Sequence, residues 1–222
     1  MEQKYTTMII DKKSFQPKMM RIKNILFLVL LLPSLTLYSQ NIDIRLLRQI
    51  NVNRNVHLDG TFKTITNSIG PVSIAAPIIV FGTGLIEKDK SIQEKGLMMG
   101  ASFFVAAAVS TGMKYAFNRP RPFVTYPDIQ KVSSAGSPSF PSGHTSDAFA
   151  TATSLSLAFP KWYVIAPSYV YASAVGYSRM HLGVHYPSDV LAGAAIGAGS
   201  AYLSYKAQKW INHKKRNKLG LN

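Results

Sequence analysis

The 222-residue sequence contains no cysteine and few acidic residues. The missing cysteines exclude disulfide bonds and thiolate metal sites, and they leave the redox compartment of the protein undetermined. Ten Asp and Glu residues stand against 25 Lys and Arg residues, which gives a formal net charge of +15. An excess of this size indicates an acidic partner or an anionic membrane surface. The length suits one domain with a full hydrophobic core.

Nucleic acid is the competing explanation for the positive charge. The cations are not interleaved with aromatic residues on one polar face, and they concentrate beside apolar segments. Nucleic-acid-binding domains instead carry a basic patch or stripe on one face. The sequence therefore predicts no nucleic-acid partner.

Three polar clusters with fixed internal spacing lie among the apolar segments. They are Lys114 with Arg121-Pro122 after six intervening residues, Pro141-Ser142-Gly143-His144, and Ser178-Arg179 with His185 after five residues and Asp189 after three more. Together they hold three cations, two histidines, a hydroxyl and a carboxylate. This set suits a phosphate ester that is attacked by an imidazole.

The residue types match the electrostatics of phosphoryl transfer. A phosphoryl group in transfer spreads negative charge over its oxygens, and fixed cations and N–H donors stabilise that charge. Lys114, Arg121 and Arg179 can supply the positive charge. Ser142 and the Gly143 amide lie at the predicted N-terminus of a helix, where unpaired N–H groups favour an anion.

The two histidines match the two ends of the bond that breaks. A histidine nucleophile must be neutral and oriented, and a carboxylate four residues on, as Asp189 is to His185, can hold the proton of the far ring nitrogen. His144 can then protonate the leaving oxygen.

The three clusters together resemble the signature of the type 2 phosphatidic acid phosphatase superfamily, which also contains class A bacterial acid phosphatases and vanadium haloperoxidases. Every signature position is filled between residues 114 and 189, and a looser likeness extends over residues 58–206. The doubled Arg119-Pro120-Arg121-Pro122 makes one position ambiguous. The six-residue count from Lys114 selects Arg121 and leaves Arg119 without an assigned role.

The resemblance implies a role for each site residue. His185 is expected to form a phosphohistidine, Asp189 to orient it, and His144 to release the alcohol and then activate water. The expected phosphate cradle consists of Lys114, Arg121, Ser142, Gly143 and Arg179. The phosphatases of this family use no metal or other cofactor. A weaker alternative makes His181 and His185 metal ligands on one helix face, but Gly183 between them favours a turn.

Residues 1–40 are predicted to be an N-terminal extension followed by a secretory signal peptide or an uncleaved signal anchor. Arg21 and Lys23 precede an apolar run at residues 25–32, and Ser39 supplies the small residue of a cleavage site. Cleavage after Ser39 and retention as an anchor both remain open.

Residues 41–206 are predicted to form an all-α bundle of about six long helices, with the active site at one end. In residues 41–57, Ile44, Leu47 and Ile50 recur at helical spacing among arginines, which indicates a helix along an interface or an ordinary surface helix. Later apolar segments are Pro71 to Ile86, Gly96 to Phe117, Thr145 to Phe159, Trp162 to Tyr177 and Val190 to Tyr205, with a charged turn from Glu87 to Lys95.

These segments favour a transmembrane bundle. Their lengths lie between the roughly 20 residues that span a bilayer and the roughly 10 to 14 of a buried core helix. If all of them cross, the three polar clusters meet on one side. The other side receives the lysine-rich turns and the basic tail of residues 207–222, and the positive-inside rule makes it cytoplasmic. The site then faces the periplasm or the cell exterior from an inner membrane.

The preferred interpretation is a metal-independent phosphatase of lipid phosphates or diphosphates, such as phosphatidic acid, phosphatidylglycerophosphate or an isoprenyl diphosphate. Its expected partners are that substrate and the membrane, and the sequence specifies no oligomeric state. The loop from Phe123 to Phe140 is predicted to be a substrate-selecting lid. Alternatives are a soluble periplasmic acid phosphatase of small esters, a vanadate-dependent haloperoxidase and a non-catalytic phosphate-binding membrane protein.

Overall fold

The computed structural model describes residues 42–218, so the predicted extension and the signal peptide or anchor of residues 1–40 lie outside the described residues. Within residues 42–218 every regular element is helical, which confirms the all-α prediction. Residues 43–218 belong to one compact unit. The helices are α1 (residues 42–51), α2 (Asp59–Ile86), α3 (Lys90–Phe117), α4 (Pro122–Thr125), α5 (Gly143–Ala158), α6 (Trp162–His181) and α7 (Pro187–Lys218), with a 3-10 turn at Val56–Leu58.

The short helix α1 packs its apolar face against protein. Ile44 and Leu47 are buried in one cluster with Ile129 of the loop before α5 and Tyr186 of the turn before α7. The prediction of a helix in this region is correct, and the helix buries Ile44 and Leu47 against protein.

Helices α2 and α3 form an antiparallel hairpin with a very short turn. The predicted charged turn from Glu87 to Lys95 is wrong in extent, because α3 already begins at Lys90. The Asp89 side chain accepts hydrogen bonds from the backbone N–H groups of Ser91 and Ile92, which caps the helix at this point.

The long helices bring four helix ends to one end of the bundle. α5 packs against α7, α6 and α3, and α2 packs against α3 and α6. A core of Ile69, Ala148, Ala152, Ala172 and Val175 joins α2, α5 and α6. Because the long helices alternate in direction, the C-terminal ends of α3 and α6 meet the N-terminal ends of α5 and α7.

Large apolar side chains cover much of the outer surface of this bundle. Val56–Ile86 and Lys90–Thr125 are long and apolar enough to cross a membrane. Unlike the core helix of a soluble protein, they leave Ile78 63% exposed, Ile86 84% exposed and Phe104 71% exposed. Exposed apolar area of this kind is typical of a surface that contacts a membrane or a protein partner.

The opposite end of the bundle is basic. Aromatic rings accompany its lysines: Lys95 lies 4.8 Å from the Phe159 ring centroid, and Lys214 lies 5.3 Å from that of Trp210. The lysines and arginine of this end are Lys88, Lys90, Lys95, Lys161, Lys206, Lys209, Lys214, Lys215, Arg216 and Lys218. Helix α7 continues unbroken past Lys206, so the described part of the predicted tail is its last turns.

Candidate active site

The predicted site residues converge where the four helix ends meet. A cavity of about 260 Å³ lies there. Its lining contains Lys114, Arg121, Gly143, His144, Arg179 and His185, together with residues 134–137 of the loop before α5. Ser142 and Asp189 lie behind this lining and are fully buried. A larger cavity of about 480 Å³ between α2 and α3 is lined by apolar side chains apart from Ser73, so it offers no comparable chemistry.

His185 is held in the turn between α6 and α7. Gly183 has a positive φ of +70°, and a Cβ there would overlap the Gln130 carbonyl, so the turn requires glycine. His185 Nδ1 lies 3.3 Å from Asp189 Oδ2, and Arg121 Nη1 lies 3.3 Å from His185 Nε2. A guanidinium can only donate, so Nε2 is the acceptor and Nδ1 carries the proton. In this tautomer the Nε2 lone pair, which accepts from Arg121, lies at the cavity.

The protein keeps this imidazole neutral. Burial lowers the pKa of His185 to about 3, and the charges of Arg121 and Arg179 act in the same direction. The Asp189 carboxylate opposes the shift but does not outweigh burial. Neutral imidazole is the form that can act as a nucleophile.

The start of α5 presents its backbone to the same cavity. Ser142 is the N-cap, and its Oγ accepts from Thr145 N at 3.4 Å. Its own N–H donates to Asp189 O at 3.0 Å, which ties the start of α5 to the start of α7. Gly143 and His144 then form the first helical turn at the cavity. A helix N-terminus in this position favours an anionic ligand.

Two of the cations contact the loop that borders the cavity. Lys114 Nζ donates to Pro138 O at 2.8 Å, and Arg121 Nε donates to Ser137 O at 2.8 Å. The predicted lid therefore contributes cavity-lining residues and is fastened by residues of the expected phosphate cradle.

The third cation is oriented from α2. Arg179 Nη1 donates to Thr66 Oγ1 at 2.9 Å, and both side chains are buried. Arg179 Nε is also buried, and no group within residues 42–218 binds it. Sequence reasoning did not identify Thr66, because a single threonine in an apolar helix carries no recognisable signal.

Arg119, which has no role in the sequence interpretation, contacts the site from behind. Its Nη1 lies 2.7 Å from Asp189 Oδ1, and its Nη2 lies 2.8 Å from Asp43 Oδ2 in α1. The doubled Arg-Pro was the one sequence signal at this position, and it does not reveal either partner.

His181 has a separate environment. Its Nε2 lies 2.9 Å from Asp59 Oδ1, and its ring lies 4.4 Å from the Phe62 ring between centroids. The residues that the structure describes contain no group of three or more His, Asp or Glu side chains that could hold a metal ion. The described residues therefore offer no third ligand for a metal ion bound by His181 and His185, the alternative that the sequence left open.

Comparisons with known proteins identify the family of this chain. The model of the PAP2 superfamily matches residues 95–213, more than half of the chain. An undecaprenyl-diphosphatase of Sulfolobus acidocaldarius is 30% identical over 173 residues, which cover 77% of this chain and 81% of that protein.

Two solved structures have the same fold. The crystal structure of Aquifex aeolicus LpxE has a TM-score of 0.64 and 30% identity, over 74% of this chain and 95% of that one. A transmembrane PAP2-type phosphatidylglycerolphosphate phosphatase from Bacillus subtilis has a TM-score of 0.67 and 26% identity, over 86% and 96% of the two chains. With the apolar surface of α2 and α3, these neighbours identify a helical membrane protein. The chain belongs to the PAP2 superfamily.

Proposed function

We propose that this protein is a metal-independent phosphatase that hydrolyses the phosphate monoester or diphosphate of a membrane lipid through a phosphohistidine. One observation carries the proposal. His185 is buried as a neutral imidazole against Asp189, at a cavity lined by three cations and by His144.

In the first step, His185 Nε2 attacks phosphorus. A P–N bond forms while the P–O bond to the leaving group breaks. Burial and the charges of Arg179, Arg121 and Lys114 lower the pKa of His144 to about 4 in the empty cavity, and a bound phosphate offsets those charges. His144 then enters the step protonated and gives that proton to the leaving oxygen. Lys114, Arg121 and Arg179 stabilise the charge on the phosphoryl oxygens, together with the Gly143 amide. In the second step, His144 takes a proton from water, the water oxygen attacks phosphorus, and inorganic phosphate leaves His185.

A lipid substrate is supported by the surface of the bundle and by its relatives. The exposed apolar residues on α2 and α3 suit a bilayer, and a phosphatase held in a bilayer meets lipid substrates. One relative is named for undecaprenyl diphosphate, and one structural neighbour for phosphatidylglycerolphosphate. Both substrates join a phosphate or diphosphate to an apolar tail, which is the class we propose here.

The proposed orientation places the cavity at the periplasmic or outer face. The opposite end of the bundle carries the lysine cluster and the exposed rings of Trp162 and Trp210. Lysine and arginine are enriched on the cytoplasmic side, and tryptophan favours the headgroup layer.

The test is phosphate release by the full-length protein, purified in detergent with chelator present. We expect release from at least one of undecaprenyl diphosphate, phosphatidylglycerophosphate and phosphatidic acid. His185→Asn should lower kcat at least about 10³-fold, because the nucleophile is lost. The matched control is His57→Asn, since His57 is exposed in the 3-10 turn. Wild-type activity in the His185 variant, or no release by the wild type, contradicts the proposal.

A further inference from the structure

Arg119 lies at the junction of α1, α7 and the loop after α3. It contacts two carboxylates that are 5% and 0% exposed, Asp43 and Asp189. We propose that Arg119, held by Asp43, is a positioning residue that keeps the Asp189 carboxylate aimed at His185. This inference rests on the proposed function, because the role of His185 as nucleophile is part of it.

The first support is that the two carboxylate oxygens of Asp189 bind different partners. Oδ1 binds the Arg119 guanidinium at 2.7 Å. Oδ2 lies 3.3 Å from His185 Nδ1 and accepts the Tyr186 N–H at 3.0 Å. A carboxylate bound on both oxygens cannot rotate about its terminal bond without breaking a hydrogen bond. Arg119 therefore fixes the plane in which Oδ2 meets the imidazole.

Arg119 also acts through its backbone. Its carbonyl accepts the Ser139 N–H at 2.8 Å, and the Ser139 hydroxyl donates to Asp189 Oδ2. The side chain and the carbonyl of one residue thus restrain both oxygens of the same carboxylate, one directly and one through Ser139.

The second support is the way Asp43 fixes the guanidinium. Asp43 Oδ2 binds Arg119 Nη2, while Asp43 Oδ1 accepts the Ser188 N–H at 2.8 Å in the first turn of α7. The Ser188 hydroxyl donates to Asp43 and accepts from Arg119 Nη1 at 2.7 Å. The guanidinium carbon also lies 3.9 Å from the centroid of the Tyr186 ring. Carboxylates on two sides and an aromatic ring leave the guanidinium one orientation.

The two carboxylates beside residue 119 explain why a cation is needed at this position. Asp43 and Asp189 are both buried, and Arg119 lies between them as the cation that binds both. Without it, two buried negative charges would be left near each other, and Asp189 would be drawn toward other donors. Lysine is a poor substitute, because it lacks the planar fork that binds two carboxylates at once.

Arg119 does not line the cavity, so its effect on the reaction passes through Asp189. This separates it from Lys114, Arg121 and Arg179. Loss of a cradle cation weakens phosphate binding, whereas loss of Arg119 should leave that binding intact and slow the chemical step.

The experiment compares Arg119→Gln, Asp43→Asn and the double variant in the full-length protein, on the lipid that the wild type hydrolyses best. We expect Arg119→Gln to lower kcat about 10- to 100-fold, as is typical when the partner of an active-site ligand is removed. KM and the inhibition constant of inorganic phosphate should change less than about threefold, because both depend on the cradle. Asp43→Asn should add little to Arg119→Gln, because both changes break one network.

The matched control is Arg48→Gln in α1. Arg48 also pairs with an aspartate, at 2.7 Å from Asp128, and lies over a tyrosine ring, but it is 44% exposed and does not contact Asp189. We expect it to keep wild-type kcat. Monodispersity and thermal unfolding in detergent identify any variant that fails to fold. If Arg119→Gln misfolds, Asp43→Asn alone must still show the loss of kcat.

The outcomes are distinguishable. An inactive wild type overturns the proposed function before any variant is compared. An active wild type with unchanged kcat in Arg119→Gln overturns the positioning role alone. A fall in phosphate affinity that matches the fall in kcat also overturns it, because that result makes Arg119 part of the cradle or of the general structure.

Discussion

Individual residues at this site were predictable where the pattern is local. The four-residue spacing of His185 and Asp189 indicates the pair that the structure places 3.3 Å apart. Arg119 was not predictable, because its partners lie 76 and 70 residues away along the chain. Thr66 was missed for the same reason, since it meets Arg179 from 113 residues away. Contacts over such separations form only when the chain folds, and no spacing rule describes them.

Thr66→Val tests whether α2 helps to orient the cradle. The change removes the oxygen that binds Arg179 Nη1 and leaves a buried cation with one partner fewer. A lost hydrogen bond to a charged group costs about 1.5–3 kcal/mol, so we expect kcat/KM to fall about tenfold or more. Steady-state phosphate release measures it. Thr64→Val is the control, because Thr64 is exposed on the same helix; equal kcat/KM in both variants contradicts the prediction.

At the scale of the elements, the sequence predicted which segments are helical better than where they end. The apolar segment from Gly96 indicated a helix, yet α3 begins six residues earlier, at Lys90. The first turn of a helix is often polar, so it carries no apolar periodicity from which the start of the helix could be predicted. The start of α5 was predicted correctly because Ser142 and Gly143 are recognisable capping residues, and Ser142 is the N-cap.

The close contact between α5 and α7 gives a prediction at this scale. A Cβ at Gly197 would overlap the Ser146 carbonyl oxygen and lie 2.7 Å from Ala150 N, so Gly197→Ala must push the helices apart. Overpacking of this kind costs about 1–3 kcal/mol of the free energy of unfolding. The Tm in detergent should therefore fall.

Gly199→Ala is the matched control on the same helix. A Cβ there meets nothing within 4 Å, and alanine favours a helix over glycine by up to about 1 kcal/mol. Its Tm should stay level or rise. The same Tm change in both variants would show that packing against α5 does not limit the approach of α7.

For the whole molecule, the position of the site followed from topology. If each apolar segment crosses the membrane, consecutive helices alternate in direction, so the clusters at the ends of those segments meet at one end of the bundle. The position of α1 did not follow from topology. Asp43 in α1 accepts a hydrogen bond from the Ser188 N–H at the start of α7. The amphipathic pattern of α1 does not encode this tertiary contact.

Orientation in the membrane is testable because the chain has no native cysteine. A single cysteine introduced by substitution provides one labelling site. We choose Ser134, which is exposed on the loop at the cavity, and Asn217, which is exposed near the end of α7. In a bacterial host, a membrane-impermeant maleimide should label Ser134→Cys in cells with a permeabilised outer membrane and an intact inner membrane. Asn217→Cys should react only after the inner membrane is disrupted. The reverse pattern contradicts the proposed orientation.

Helix α7 joins both ends of the molecule. It has 32 residues, which gives a length of about 48 Å at about 1.5 Å per residue. The hydrocarbon layer is about 30 Å thick, so a helix of this length that crosses it along the membrane normal extends about 18 Å beyond it. Asp189 lies in its first turn, and Lys215, Arg216 and Lys218 lie in its last turn. In the proposed orientation, the length of α7 sets the distance between the site and the lysines at the far end of the helix. The depth of those lysines among the lipid headgroups would then fix the depth at which the proposed substrate is cleaved.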